Sequence, residues 1–263
     1  MSRSQTVKDR NIENQLDPSR DFENPGTPNT RYVICCTHRS GSNLLSEALY
    51  HTGAAGDPME FLNIGFVQKY RERAGTQNIN FYDLMNDMET RRTSPNGVFG
   101  LNVKYDQMQA FFRRIPNPLV ERLRSADRVF FLHRQDRLQQ AISTVKGQMR
   151  GTFNVYAEDA DEVEQTHGDL PFRPGLIAQR LFQIMRMERQ WEALFERFDI
   201  VPEILTYEDL NTDYAGTIAR VLRNVGVDPA EVTIPDPPTV KVRDSEDDRL
   251  RQRFLAHIGA ADG

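Results

Sequence analysis

Tyr32-Val33-Ile34-Cys35-Cys36 is a wholly apolar run, the pattern required of a central parallel strand covered on both faces. It gives way abruptly to the polar stretch Thr37-His38-Arg39-Ser40-Gly41-Ser42. Leu44, Leu45, Ala48 and Leu49 then recur at helical spacing, and Gly53 supplies a stop. The same order of strand, polar loop and helix returns further on. Val129-Phe130-Phe131-Leu132 is a second compact apolar run, and Leu138, Ala141, Ile142, Val145 and Met149 behind it mark one helical face. Phe99, Leu101, Val103 and Tyr105 alternate as a strand after the Pro95-Asn96-Gly97 turn. A long helix is predicted from about Leu176 to Phe198, then a strand over Glu203-Ile204-Leu205-Thr206-Tyr207. A last helix, with Ile218, Val221, Leu222 and Val225 inward, stops at Gly226. Strands alternating with helices predict an α/β fold with a central parallel sheet. Residues 1–30 show neither period and are expected to form a flexible N-terminal tail, leaving 31–263 as a single domain. The acidic segment Glu158 to Asp169, between two helices, reads as a solvated loop, or more weakly as a lid.

Charge and composition narrow the function. Across 263 residues, 33 Lys and Arg against 38 Asp and Glu give a net charge of −5, which excludes a strongly basic polyanion binder, so nucleic acid is not an expected partner. With 38 % hydrophobic and 27 % charged residues, the chain is too apolar to be wholly disordered. Its longest apolar run falls far short of the roughly 20 residues that span a bilayer, and the polar N-terminus lacks a signal-peptide core. A cytoplasmic protein without a membrane span is expected. The two cysteines, Cys35 and Cys36, are chain neighbours, too cramped for an ordinary disulfide and useless as a metal framework. No metal site is expected.

Three features carry candidate chemistry. A polar loop between a central strand and a helix gathers backbone N–H groups and the positive end of the helix dipole, which favours a phosphate or sulfate. Arg39-Ser40-Gly41-Ser42-Asn43 fits this role: Gly41 permits close backbone approach, Ser40, Ser42 and Asn43 are donors, and Arg39 is a permanent fork-shaped charge. The alternative is a polar turn capped by Ser. The loop lacks the Gly-Lys-Ser/Thr ending that holds a Mg-bound triphosphate. Arg134, directly behind the second buried strand, and Ser143, nine positions later, offer a second anion site, the alternative being a surface Arg134 paired with Asp136. Ligands of open α/β sheets lie beyond the carboxyl ends of the strands, so two such sites suit a ligand with two separated phosphates. The turn Gly56-Asp57-Pro58-Met59-Glu60-Phe61 brings a carboxylate near the first loop. Glu60 is a candidate general base, provided that burial or a hydrogen bond tunes it; otherwise it is an exposed loop residue.

Cys36-Thr37-His38-Arg39-Ser40-Gly41-Ser42-Asn43-Leu44-Leu45 with Gly56-Asp57-Pro58-Met59-Glu60-Phe61 resembles the bacterial trehalose 2-sulfotransferase family. Pro95-Asn96-Gly97-Val98-Phe99-Gly100, His133-Arg134-Gln135-Asp136 with Gln140-Ala141-Ile142-Ser143, and Tyr207-Glu208-Asp209-Leu210 agree in order, so the resemblance runs from about Arg31 to Phe254. It implies a three-layer α/β/α, P-loop-like sulfotransferase fold related to nucleotide kinases. It further implies transfer of a sulfuryl group from 3′-phosphoadenosine 5′-phosphosulfate (PAPS) to a hydroxyl, leaving adenosine 3′,5′-bisphosphate (PAP), without a metal. The first loop would take the 5′-phosphosulfate, and Arg134 and Ser143 the 3′-phosphate. Lys241, with Arg243 a close substitute, matches a basic residue that helps hold the nucleotide, and Glu60 falls on the family's proposed base. Arg39 and the loop N–H groups would stabilise charge on the departing oxygen. The acceptor would be a small-molecule hydroxyl, such as that of trehalose, another sugar or a glycolipid, and the resemblance is compatible with a homodimer. The chain departs from the family in carrying Asn102 where Lys is common, with Lys104 two residues on, and His38 where Pro or Gln is usual. A small-molecule kinase using Mg-ATP, or a non-catalytic nucleotide-binding module, are the rival expectations. Residues between Phe61 and Tyr82 would either line an acceptor pocket or form a helical subunit contact.

Overall fold

Strand β1 (Thr30–Cys36) lies inside a four-stranded, wholly parallel sheet, with β2 (Val98–Lys104) on one side and β3 (Arg128–His133) on the other; β4 (Glu203–Thr206) pairs beyond β3. The computed structural model describes residues 15–76, 78–111, 117–151, 170–237 and 245–259. The register aligns Cys36 with Lys104 of β2 and Leu132 of β3, so the three strands end nearly level. Alternate residues of each strand serve opposite faces. Val33, Cys35, Leu101, Val103 and Phe131 join one core, which α2 (Ile64–Ala74), α3 (Phe81–Arg92), α5 (Pro118–Ser125) and the second half of α7 (Pro174–Arg197) cover. Tyr32, Ile34, Cys36, Phe130, Leu132 and Leu205 join the other, under α1 (Ser42–His51) and α9 (Tyr214–Asn224). These layers are the expected α/β/α arrangement. A satellite core joins α6 (Arg137–Arg150), the first half of α7 and α10 (Ser245–Gly259). No helix among the described residues is long and apolar enough to cross a membrane.

The expected elements differ from the observed ones mainly at their ends. Tyr105 and Tyr207, which continue the strand alternation, instead open the short helices α4 (Tyr105–Phe111) and α8 (Tyr207–Thr212). At the second junction the reason is local: the Thr206 hydroxyl accepts a hydrogen bond from Asp209 N at 3.0 Å and caps the helix. The stretch from Phe61 to Tyr82, which the apolar pattern leaves open, contains α2 and the start of α3. These helices bury little more than Phe66 and Val67, and Leu84, Met85 and Met88.

Residues 15–30 correct the expectation of a tail extending to residue 30. Leu16 is buried in the core, and Asp17 caps a 3-10 turn over Pro18–Arg20. Arg20 donates to both oxygens of Asp57, at 3.0 and 2.6 Å, and to Glu47 of α1. Arg92, at the end of α3, reaches the same Asp57 carboxylate at 2.6 Å, and Arg92 and Asp57 are both fully buried. This segment is fixed by ion pairs rather than by an apolar stripe, so hydrophobic periodicity cannot reveal it. Residues 1–14, the acidic segment Glu158 to Asp169, and Lys241 and Arg243 lie outside the described residues.

Candidate active site

The chain runs from β1 to its neighbour β2, then crosses to β3 on the opposite side of β1. The loops leaving β1 and β3 therefore diverge, and the crevice between them is the topological switch point where α/β sheets take ligands. Arg39 follows β1, and Arg134 follows β3.

The first loop is shaped by two left-handed residues, Arg39 at φ 64° and Gly41 at φ 90°. Arg39 is a non-glycine residue in a conformation that L side chains rarely adopt. Gly41 answers a packing need as well, because a Cβ there would sit 2.8 Å from the Tyr207 ring. Gly41→Ala is expected to destabilise the fold by about 1–2 kcal/mol through the left-handed backbone alone, read as a lowered thermal midpoint. The loop is held from several directions. The Ser40 hydroxyl donates to Thr37 O at 2.9 Å, Gln140 of α6 donates to Thr37 Oγ1 and His38 O, and the Trp191 indole of α7 donates to Cys36 O at 2.9 Å. The Ser40 side chain thus closes the loop on itself, leaving its backbone as the candidate donor. Ser42 and Asn43 open α1.

Arg39 Nε donates to Ser143 Oγ of α6 at 3.1 Å, which brings together two residues that sequence reasoning places at separate anion sites. Arg134 does not pair with Asp136. Its guanidinium lies over the Tyr207 ring, 4.3 Å from the centroid, and its Nε is buried without a hydrogen-bond partner among the described residues. Asp136 instead caps α6 through Gln139 N and pairs with Arg251 of α10 at 2.8 Å. Burial lowers the pKa of the Arg39 guanidinium, and the nearby charge of Arg134 lowers it further, against the opposing pull of Tyr207 and Asp247. Two cations that disfavour one another, one with an orphaned donor, offer an anion both charge and a hydrogen bond. Glu208 fixes the loop that carries Arg134, its two oxygens accepting from Gln135 N at 3.0 Å and Asp136 N at 3.2 Å. The sequence signal for Tyr207 and Glu208 was the Tyr207-Glu208-Asp209-Leu210 block, whose roles only the fold reveals.

Glu60 is placed by hydrogen bonds that run through the sheet edge. Asn102 N donates to Met59 O at 3.1 Å, while the Asn102 amide donates to Ser46 Oγ, which in turn donates to Pro58 O at 2.7 Å. Asn102 is therefore a buried strut. Two residues along the same strand face, Lys104 pairs with Glu60 Oε1, and Gln107 of α4 donates to Oε2 at 2.7 Å. Glu60 is buried rather than an exposed loop residue. Burial raises its pKa, but the Lys104 charge and hydrogen bond, the charge of His38 and the Gln107 bond outweigh it, so the carboxyl lies below its usual value and is ionised at neutral pH. Gln107 had no sequence signal, since nothing in the chain marks it as facing residue 60.

The model for Stf0 sulphotransferases matches residues 31–257. The chain is 26% identical over 231 residues to the trehalose 2-sulfotransferase of Mycobacterium tuberculosis, covering 75% of this chain and 85% of that protein. It is 25% identical over 258 residues to the trehalose 2-sulfotransferase of Mycolicibacterium smegmatis, covering 86% and 94%. Among solved structures, the sulfotransferase domain from the curacin biosynthetic pathway superposes over 88% of this chain and 98% of that one, at 14% identity and a TM-score of 0.40. Because the family model spans every strand of the sheet and both candidate loops, the chain belongs to the Stf0 sulphotransferase family and is an enzyme, a sulfotransferase.

Proposed function

We propose that the enzyme transfers the sulfuryl group of 3′-phosphoadenosine 5′-phosphosulfate to a hydroxyl of a carbohydrate or similar small molecule. The observation that carries this reading is the pair of basic residues, Arg39 and Arg134, at the switch point, with the Arg134 Nε buried and unpartnered. A donor bearing phosphate-type groups at two separated positions suits a cradle that joins the β1 loop to the end of β3. Arg39, the backbone of Ser40, Gly41 and Ser42, and Asn43 receive the 5′-phosphosulfate; Arg134 and Ser143 receive the 3′-phosphate, with Lys241 assigned to the nucleotide by the family resemblance. Transfer of this kind runs through a loose in-line transition state, so positioning and charge stabilisation supply most of the rate. Glu60 takes the proton of the attacking hydroxyl as the new oxygen–sulfur bond forms, while Arg39 and the loop N–H groups meet the negative charge left on the departing oxygen. A sugar acceptor is supported by the two trehalose 2-sulfotransferase relatives.

Calorimetric titration with adenosine 3′,5′-bisphosphate, beside ATP, each with and without Mg²⁺, tests the donor assignment. Metal-independent binding of the bisphosphate is expected. A preference for Mg-ATP would return the site to kinase chemistry. Arg134→Ala is expected to weaken bisphosphate binding about tenfold or more, the worth of a charge-assisted hydrogen bond; unchanged affinity would remove Arg134 from the site.

A further inference from the structure

Gln107 is the third residue of α4, and its buried amide faces two ways. Its Oε1 accepts from Lys104 N at 3.0 Å, and its Nε2 donates to Glu60 Oε2 at 2.7 Å. The first bond settles the direction of the second: a backbone N–H can only donate, so the amide oxygen faces Lys104 N and the amide hydrogens face Glu60. The bond to Lys104 N is a helix cap. Lys104 precedes the helix, and Gln107 holds the position from which a Glu or Gln side chain reaches back to the capping residue's N–H. Glu and Gln serve that purpose alike. Only the bond to Glu60 needs the neutral amide. Asp106, next to Gln107 in the chain, lies 2.7 Å from His38 Nε2, so the first turn of α4 reaches from Glu60 to the β1 loop.

Among the described residues, Lys104 holds Glu60 Oε1 and Gln107 holds Oε2, which leaves one lone-pair site on each oxygen for the proton of an attacking hydroxyl. The two donors are not equivalent. The Lys104 ammonium rides on a flexible four-carbon stem and follows Oε1 as the carboxylate turns. The Gln107 amide is pinned to the backbone at its other side, and the last torsion of a Glu side chain is intrinsically broad, so the pinned amide sets the carboxylate plane. We propose that Gln107 is a positioning residue of the reaction, aiming the open lone pairs of Glu60 at the acceptor hydroxyl. Its donated hydrogen bond also favours the ionised carboxylate, alongside Lys104. The titratable groups facing Glu60 are Lys104 of β2, His38 of the β1 loop, and Cys36 at the end of β1, whose thiol is pushed up to about 11 by burial and so stays neutral. From α1, Ser46 bonds the turn at Pro58 O through an uncharged hydroxyl.

This inference rests on Glu60 as the proton acceptor, and the two fail separately: near-normal turnover in Glu60→Gln removes the base itself, whereas the Gln107 variants test its alignment. Gln107→Met deletes the donor; Gln107→Glu replaces it with a second carboxylate that still caps α4. Carboxyl resonances of the full chain, isotope-labelled at glutamate, are followed by NMR against pH, with Glu60 assigned by its loss in Glu60→Gln. The Glu60 midpoint is expected to rise by about half a pH unit in Gln107→Met. In Gln107→Glu two carboxyls share one proton, and the higher midpoint of the pair is expected about one pH unit or more above that of wild-type Glu60. Unmoved midpoints overturn the proposal, whatever the turnover. With the sulfuryl donor and trehalose, kcat at neutral pH is expected to fall about tenfold in Gln107→Met and about 100-fold in Gln107→Glu, with bisphosphate affinity near wild type. Turnover of Gln107→Glu recovers as the pH rises past its displaced acid limb, because Glu60 is ionised again. A capping role alone leaves Gln107→Glu at wild-type turnover, and that result overturns the proposal, as does a loss in this variant that rising pH does not relieve.

Discussion

Replacing Glu60 by Gln is expected to lower kcat about 100- to 10,000-fold while leaving bisphosphate affinity near its wild-type value, the range over which a positioned general base acts. The amide keeps the shape of the carboxyl and one oxygen for Lys104, but it cannot accept a proton at neutral pH. The pH dependence has a definite sign. The Glu60 pKa is lowered, so the ionised form is fully present at neutral pH and is lost only as the pH falls through the carboxylate range. The variant also leaves the buried Lys104 ammonium without its counter-charge, so its thermal midpoint is expected to fall. That shift separates the two roles of the carboxylate: turnover lost in a protein that still melts cooperatively and still binds the bisphosphate belongs to chemistry. Turnover within a few-fold of wild type would remove Glu60 as the base.

Asp57→Ala is expected to destabilise the protein by about 3–5 kcal/mol, or roughly 6–20 °C in thermal midpoint. Arg20 and Arg92 converge on the two oxygens of this fully buried carboxylate, and its removal takes the shared counter-charge from two guanidinium groups, one of them at zero exposure, leaving Arg20 with Glu47 and Arg92 with Asp21. The Arg20 bonds are also what tie residues 15–30 to α1 and to the turn carrying Glu60, three positions beyond Asp57. A thermal melt with calorimetry reads the effect directly. A loss below about 1 kcal/mol, the worth of an exposed pair, would mean that the ion cluster is dispensable.

The parallel sheet was legible because its strands are covered on both faces and so read as unbroken apolar runs; β1 and β3 stand out for this reason. The first loop and Arg134 were legible through their position, directly behind those runs. The link between them was not, since Arg39 meets Ser143 across 104 positions, and Tyr207 reaches Arg134 from behind a different strand. Helices α2 and α3 left a weak trace because a narrow buried stripe among charged residues barely raises the apolar period above its background. Residues 15–30 left none, for charge pairing carries no period. Glu60 could be named from its turn, but its partners Lys104 and Gln107 depend on the fold, and they decide that its pKa falls rather than rises.

The order of the strands also gives the reaction a direction. Glu60, Lys104 and Gln107 gather at the end of β2, the β1 loop follows, and Arg134 lies past β3. Adjacent strands are about 4.8 Å apart, so these three stations span about 10 Å along the sheet's rim. With the roles proposed above, the nucleophile attacks from the β2 flank and the nucleotide departs toward β3, and the transferred group travels across the strands rather than along them. With those roles, acceptor preference is free to drift by remodelling the β2 flank, so long as Gln107 still holds Glu60, without disturbing the nucleotide grip beyond β3.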